Sequence, residues 1–253
     1  MTYLLTRGLR HPRSRPTGLA AARIVGSALV VLLSMVIGPA LQTSAAVASP
    51  VVAMPLIRPA ITVPSSARQV VAVGATSPGA TTAKLSLWQK GTNGRWTRTV
   101  GPVPARVGSR GIGPAHEGSR YTPAGTFALD QAFGRLNNPG TKLRYFKTDP
   151  LDWWNENPLS RTYNKHIRRV NSPGGASENL YYSGTAYNLA VNFAYNPTNI
   201  PYKGSAFFLH VGTGHSTAGC VSIAQSTLTT IMRKLDPAQH PVIAIRNGTP
   251  WVP

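Results

Sequence analysis

Cysteine and acidic residues are both scarce in this sequence, and each scarcity narrows the possible functions. The chain of 253 residues has a single cysteine, Cys220, which excludes an internal disulfide. It has seven acidic residues against 26 lysines and arginines, which give a formal net charge of +19 at pH 7. A charge of this size favours polyanionic surroundings such as nucleic acid, anionic lipid or an anionic polymer.

Residues 1–48 are typical of a secretory signal. Five arginines and no acidic residue precede an apolar run over 24–40, and a stretch of small residues then ends at Ala48. A basic region, an apolar region and an Ala-x-Ala site together predict a cleaved signal peptide. An uncleaved membrane anchor is the alternative, although the apolar run is shorter than the roughly 20 residues of a bilayer span.

Export changes which polyanion is expected as a partner. Without residues 1–48, the chain keeps 21 basic and seven acidic residues, a net charge of +14. We therefore expect a secreted protein associated with anionic cell-wall polymers, and contact with the membrane only through an uncleaved N-terminal segment. Nucleic acid is not expected, because the basic residues are scattered and form no nucleic-acid-binding motif.

The remainder of the chain predicts a Pro/Ala-rich linker over 49–68 and one domain over 69–253. Most of the domain alternates with period two, which is typical of strands. One helix is predicted after Cys220, with Ser222 as its N-cap and Gln225 three residues later. The fold class is therefore mainly β, with one helix that follows Cys220. Strands are predicted over 69–75, 82–89, 95–100, 125–129, 143–147, 188–195, 205–211 and 242–246.

The segment 207–223 contains the residue types that cysteine catalysis requires. His210 lies at the end of a dense apolar strand, and Cys220 follows a glycine-rich loop. A histidine within reach can accept the thiol proton, and a helix N-terminus just beyond the cysteine favours the thiolate. The backbone N–H groups of Gly219 and Cys220 could face an oxyanion. The segment therefore predicts Cys220 as a nucleophile and His210 as its base.

Two simpler interpretations of the same residues remain open. Cys220 could be a buried and inert thiol, and His210 could be a hydrogen-bonded residue at a strand end. His210, His215 and Cys220 could also ligate a metal ion, but one cysteine without nearby acidic residues is a poor ligand set. We therefore expect no metal.

The segment resembles the signature of the L,D-transpeptidase (YkuD-type) family, in which a strand histidine precedes a loop and then Ser-His-Gly-Cys. His210 matches the strand histidine, and Gly219-Cys220-Val221 matches the end of the signature. Upstream, Thr122–Phe127 is similar to the family's Thr-Pro-x-Gly-x-Phe stretch. The sequence departs from the family at Ala218, where the signature has histidine.

The resemblance implies a YkuD-like β-sandwich or mixed sheet that acts on peptidoglycan without a cofactor. Cys220 would attack a diaminopimelate carbonyl in a stem tetrapeptide, release D-Ala and pass the acyl group to a neighbouring stem, which gives a 3→3 cross-link. Transfer to water would make the protein an L,D-carboxypeptidase. His215, Thr217 and Ser222 are expected to border the substrate.

Other functional classes are also considered. Papain-type and NlpC-type peptidases place the cysteine well before the histidine, whereas only His240 follows Cys220 here. A non-catalytic cell-wall-binding module with a decayed site stays open because of Ala218. The irregular, aromatic segment 148–187 is typical of a binding loop or lid. Within it, Trp153 and Trp154 are possible substrate contacts, and packing against a core edge is the alternative.

Overall fold

Strands dominate residues 61–253, which are the residues that the structure, a computed structural model, describes. The predicted signal and residues 49–60 of the predicted linker lie outside the described residues. The strands are β1 (Gln69–Ala75), β2 (Thr82–Lys90), β3 (Trp96–Arg106), β4 (Ile112–Gly113), β5 (Thr122–Pro123), β6 (Gly125–Gly134), β7 (Arg144–Lys147), β8 (Asp152–Asn155), β9 (Lys165–Arg168), β10 (Glu178–Asn179), β11 (Ala190–Phe193), β12 (Phe208–Val211), β13 (Val221–Ile223) and β14 (Val242–Asn247).

One α-helix, α1 (Gln225–Lys234), and two short 3₁₀ helices, Gly184–Asn188 and Pro237–Gln239, complete the secondary structure of these residues. A mainly β fold with one helix after Cys220 is therefore confirmed. In the described part of the chain, no helix has the length and apolar character that a bilayer span requires.

The main sheet has nine strands in the order β11-β12-β13-β3-β2-β1-β14-β6-β7. Because β11 also pairs with β6, all of these strands except β7 form a closed ring. The pairs β1–β14, β12–β13 and β6–β7 are parallel, whereas the others are antiparallel. The main sheet thus contains both parallel and antiparallel pairs, and its strands form one closed sheet instead of two separate layers.

The two faces of β12 contact different hydrophobic clusters. Leu209 points into the main core, which also contains Leu228 and Ile231 from the apolar face of α1. Phe208 points the opposite way, since successive side chains of a strand alternate between its faces. Phe208 joins Cys220 in a second cluster with aromatic residues that include Trp154. The candidate site therefore lies on the outer face of the closed sheet.

The predicted start of the helix is wrong. Ser222 is not an N-cap but lies in β13, where it pairs with His210 of β12 and Arg106 of β3. The helix begins at Gln225, and its N-cap residue, Ala224, makes no side-chain capping bond. Burial of the β13 side chains and its pairing with two strands override the local capping pattern. The helix N-terminus is consequently separated from Cys220 by a strand.

The prediction of an irregular segment over 148–187 is also wrong. This segment contains β8, β9 and β10, which form a separate three-stranded sheet with β8 in the centre. Trp154 of β8 packs edge to face on Phe208, with 4.9 Å between the ring centroids. The small sheet therefore covers the outer face of β12, next to Cys220.

Candidate active site around Cys220

Cys220 lies immediately before β13, beside the first residue of β12. The parallel register pairs Leu209 with Val221, so Cys220 is level with Phe208. The Phe208 N–H donates to Cys220 Sγ at 3.4 Å, and Sγ donates to the Ala206 carbonyl at the same distance. Only 8% of Cys220 is exposed. The thiol is therefore held in a defined orientation on the outer face of the sheet.

His210 follows Phe208 by two residues on β12, so the two side chains share a face. Its Nδ1 lies 2.8 Å from the carbonyl oxygen of Val211. A carbonyl oxygen only accepts hydrogen bonds, so Nδ1 carries the proton and Nε2 of the neutral ring is an acceptor. Burial lowers the pKa of His210, against the opposing effect of the bond to Val211. His210 is thus a neutral imidazole that can accept a proton.

The protonation state of Cys220 differs from the sequence expectation. Burial raises the pKa of the Cys220 thiol well above its usual range, and the charges of Glu178 and Glu156 raise it further. The hydrogen bond from the Phe208 N–H acts in the opposite direction but is the weaker effect. In the unliganded site Cys220 is therefore a thiol, because it is buried near acidic groups and no helix begins beside it.

Two threonines hold the backbone at Cys220. The carbonyl of Cys220 accepts a 2.6 Å bond from the Thr217 hydroxyl and a 3.2 Å bond from the Thr122 hydroxyl. Thr122 also accepts a 2.8 Å bond from the Gly108 N–H. The upstream stretch that begins at Thr122 is thus joined to the cysteine loop by a direct contact. Thr217 is half-buried, and its hydroxyl holds the backbone that carries the Cys220 thiol.

Gly219 has no room for a side chain. A Cβ at this position would lie 2.7 Å from the Phe207 ring and 3.1 Å from the Tyr121 carbonyl oxygen. The Gly219 N–H donates to Thr217 Oγ1 at 3.2 Å, so it is already engaged within the loop. Of the two predicted oxyanion donors, only the Cys220 N–H remains a candidate.

The other side chains predicted to contact a substrate do not lie together around Cys220. His215 is exposed in the loop before Cys220, whereas Ser222 is buried with no partner for its hydroxyl. Trp154 is only 5% exposed and belongs to the aromatic cluster behind the cysteine. Trp153 is half-buried, and its Nε1 donates to the Arg169 carbonyl at 3.1 Å. None of these four side chains lines the cavity at Cys220.

That cavity has a volume of about 500 Å³. The cysteine loop contributes Ala218, Gly219 and Cys220 to its wall. The facing wall comes from the segment 116–120, from Ser205–Phe207 and from the ends of the small sheet. The volume falls within the roughly 300–1,000 Å³ of typical small-molecule sites, and Cys220 is one of the lining residues.

Three glutamates that the sequence did not single out also line this cavity: Glu117, Glu156 and Glu178. Burial raises the pKa of Glu156 to about 9, with further contributions from the charges of the other two glutamates. Burial also raises the pKa of Glu178, although a hydrogen bond from the Tyr187 hydroxyl opposes this. No local pattern marks these residues, because they come from three segments up to 61 positions apart.

Tyrosines connect the glutamates to the rest of the site. The Tyr187 hydroxyl donates to Glu178, and the Tyr187 ring packs edge to face on His210 with 5.7 Å between the ring centroids. The Tyr163 hydroxyl donates to Glu117, which also accepts a 2.8 Å bond from Ser205. The acidic side of the cavity is therefore coupled through hydrogen bonds and ring contacts to the strand that carries His210.

Among the described residues, no group of three His, Cys, Asp or Glu side chains is arranged to hold a metal ion. Comparison of the chain with family models, curated proteins and solved structures gives no match. The case for a function consequently depends on the site itself.

Proposed function

We propose that the protein is a cysteine-dependent L,D-transpeptidase that acts on peptidoglycan stem peptides in the cell wall. One observation carries the proposal: Cys220 opens onto a peptide-sized cavity and shares a face of the sheet with a neutral His210. The proposal also accounts for the contact between Thr122 and Cys220, which joins the two motifs that resemble the L,D-transpeptidase family.

The chemistry begins with a proton transfer from the Cys220 thiol to Nε2 of His210. Sγ attacks the carbonyl of a diaminopimelate residue, and the proton then goes to the departing nitrogen of D-Ala. The acyl thioester is attacked by an amine of a second stem, which re-forms the thiol and gives a 3→3 cross-link. Because Cys220 is a thiol in the unliganded site, removal of its proton accompanies the attack.

The high net charge supports the proposed location. Without residues 1–48 the chain has a charge of +14 and is attracted to anionic wall polymers, which would concentrate it near its substrate. This attraction bears on where the protein acts and not on the bond that it forms. Hydrolysis of the same thioester by water would make it an L,D-carboxypeptidase.

A second candidate is a non-catalytic wall-binding module, and the raised pKa of Cys220 favours it. A buried thiol that is not ionised is a weak nucleophile unless a base acts on it. The two candidates differ in whether a covalent intermediate forms on Cys220, and that difference can be measured directly.

The test is intact-mass analysis of the purified protein after incubation with a disaccharide-tetrapeptide. We expect a covalent adduct with the mass of the acyl group, then a cross-linked dimer, and neither product with Cys220→Ala. His210→Ala should lower the rate of adduct formation at least about a hundredfold, as expected for loss of a general base. His215→Ala is the matched control, because His215 is exposed, and it should retain activity.

Each other outcome assigns a different function. An adduct that resolves to tripeptide without dimer would favour the carboxypeptidase. Absence of any adduct on the wild-type protein would contradict both enzymes and favour the binding module. Full activity of the Cys220→Ala variant would show that Cys220 is not the nucleophile.

A further inference from the structure

All the glutamates of this strongly cationic chain line one cavity. The chain has seven acidic residues, of which three are glutamates, and Glu117, Glu156 and Glu178 all border the cavity at Cys220. Carboxylates that are close together disfavour one another's charge. Their placement together on one cavity wall therefore needs a physical reason.

The glutamates also lack cationic partners within the protein. Every ion pair among residues 61–253 is made by an aspartate: Asp149, Asp152 or Asp236. Glu156 is only 8% exposed, and its Oε1 is buried without a hydrogen-bond partner. An unpaired polar atom at such a position is costly, since it has lost its water without replacement. Glu156 thus borders the cavity and keeps one carboxyl oxygen that no protein group satisfies.

We propose that Glu117, Glu156 and Glu178 form a binding site for a primary ammonium group of the peptide substrate, next to the reacting thiol. The proposal takes Cys220 as the nucleophile and therefore rests on the proposed function. It adds what that function leaves open, namely that the substrate is recognised by a free amine close to the carbonyl under attack.

An ammonium group suits this cavity better than other cations. It donates hydrogen bonds in several directions from one centre, so it can bond to Glu156 while the other two glutamates line the same cavity. A guanidinium is a planar fork that matches a single carboxylate. A metal ion is disfavoured, because the described side chains do not form a group of three ligands. His116 and Arg120 also line the cavity, but both are exposed to solvent.

Binding of an ammonium would also change the reactivity of Cys220. The charges of Glu178 and Glu156 raise the pKa of the thiol in the unliganded site. An ammonium bound among these carboxyl groups adds a positive charge close to Cys220, which lowers the cost of forming the thiolate. The nucleophile is then activated when the correct substrate is present and stays protonated when the cavity is empty.

The test compares three methanethiosulfonates that carry an ammonium, an uncharged methyl or a sulfonate head group. Cys220 is the only thiol of the chain, so intact mass gives its modification rate directly. We expect the ammonium reagent to react faster than the neutral one, and the sulfonate reagent slower. The net charge of +19 by itself would make the sulfonate reagent react fastest and the ammonium reagent slowest. A faster reaction of the ammonium reagent would therefore reflect the local charge of the cavity.

Glutamate variants test whether these residues cause the faster reaction of Cys220 with the ammonium reagent. Glu156→Gln should lower the ratio of ammonium to neutral rates by roughly fivefold or more, because it removes a carboxyl group that a nearby ammonium would cause to ionise and would then pair with. Any change in the ionisation of Cys220 affects all three reagents alike and cancels in the ratio. Glu117→Gln, at a half-buried position, should lower the ratio in the same direction. Asp236→Asn is the matched control, since Asp236 does not line the cavity, and should leave the ratio unchanged.

Two results would overturn the inference. One is a ratio that is the same in the wild type and in both glutamate variants. The other is failure of all three reagents to modify folded protein, because a cavity open to a substrate amine admits reagents of this size. A charge preference without an acyl adduct would refute only the proposed function. Turnover without a charge preference would refute only the ammonium site.

Discussion

At the scale of single residues, burial sets the protonation states of the site. It raises the pKa of Cys220 and of Glu156 and lowers that of His210, because each group is more stable in its uncharged form away from water. Burial therefore favours a protonated Cys220, a protonated Glu156 and a neutral His210. A protonated thiol is less reactive than a thiolate, so burial lowers the intrinsic reactivity of Cys220.

The raised pKa of Glu156 predicts how stability changes with pH. Between the ordinary pKa of 4.5 and the folded value of about 9, the folded state keeps a proton that the unfolded state has lost. The stability contributed by this group is therefore fully present below pH 4.5 and is lost as the pH rises towards 9. In Glu156→Gln the decline of the unfolding free energy between pH 5 and 8 should be smaller, by up to about 1.4 kcal/mol per pH unit.

Urea unfolding of the wild type and the variant at pH 5, 6, 7 and 8 measures this difference. Asp236→Asn is the control, because the Lys142 side chain holds the pKa of Asp236 below its ordinary value of 3.8 and the group does not titrate in this range. Parallel pH profiles for the wild type and Glu156→Gln would show that Glu156 is ionised in the folded protein.

At the scale of elements, one tryptophan joins the small sheet to the main sheet. Trp154 of β8 packs on Phe208 and Phe133, and its Nε1 donates to Asn164 at 3.1 Å. Its neighbour Trp153 points the other way, as alternation along a strand requires. The small sheet is therefore anchored by a core side chain, and β8 is not part of a detachable lid.

Trp154→Ala is expected to destabilise the protein by about 3–5 kcal/mol, as is usual for loss of a buried aromatic ring. Trp153→Ala, at a half-buried position, should cost only about 1 kcal/mol. The free energy of unfolding in urea distinguishes the two variants. Equal and small losses would mean that the small sheet contributes little to the folded core.

At the scale of the whole molecule, the end of the chain completes the sheet. β14 lies between β1 and β6, parallel to the first and antiparallel to the second. Beyond it, Trp251 packs against Trp88 and Trp96, with 6.5 Å and 5.2 Å between ring centroids. The closed ring therefore forms only when the last strand is present.

A chain that stops after Pro241 lacks β14 and leaves two strand edges unpaired, so we expect it not to fold cooperatively. A chain that stops after Gly248 keeps β14 but loses the Trp251 contacts, and it should fold with a loss of about 1–2 kcal/mol. Thermal unfolding followed by circular dichroism tests both. A cooperative transition in the shorter chain would show that β14 is dispensable.

Local periodicity identified most of the main sheet. Each of the eight strands predicted from alternation overlaps an observed strand, and β1 has the predicted bounds. Local features also identified Cys220 as a candidate nucleophile and His210 as its candidate base. These features are a dense apolar strand, a glycine-rich loop and a single thiol. These features are visible in sequence because alternation and loop composition depend on neighbouring residues.

Only the tertiary structure determined the chemistry around the thiol. The capping pattern at Ser222 predicted a helix, but the strand pairs on both sides of β13 provided more hydrogen bonds and burial. The three glutamates reach the cavity at Cys220 from distant segments, and the raised pKa values of Glu156 and Glu178 depend on burial that no local pattern encodes. The sequence thus determined which residue is the candidate nucleophile, whereas long-range packing decided its protonation state and its acidic surroundings.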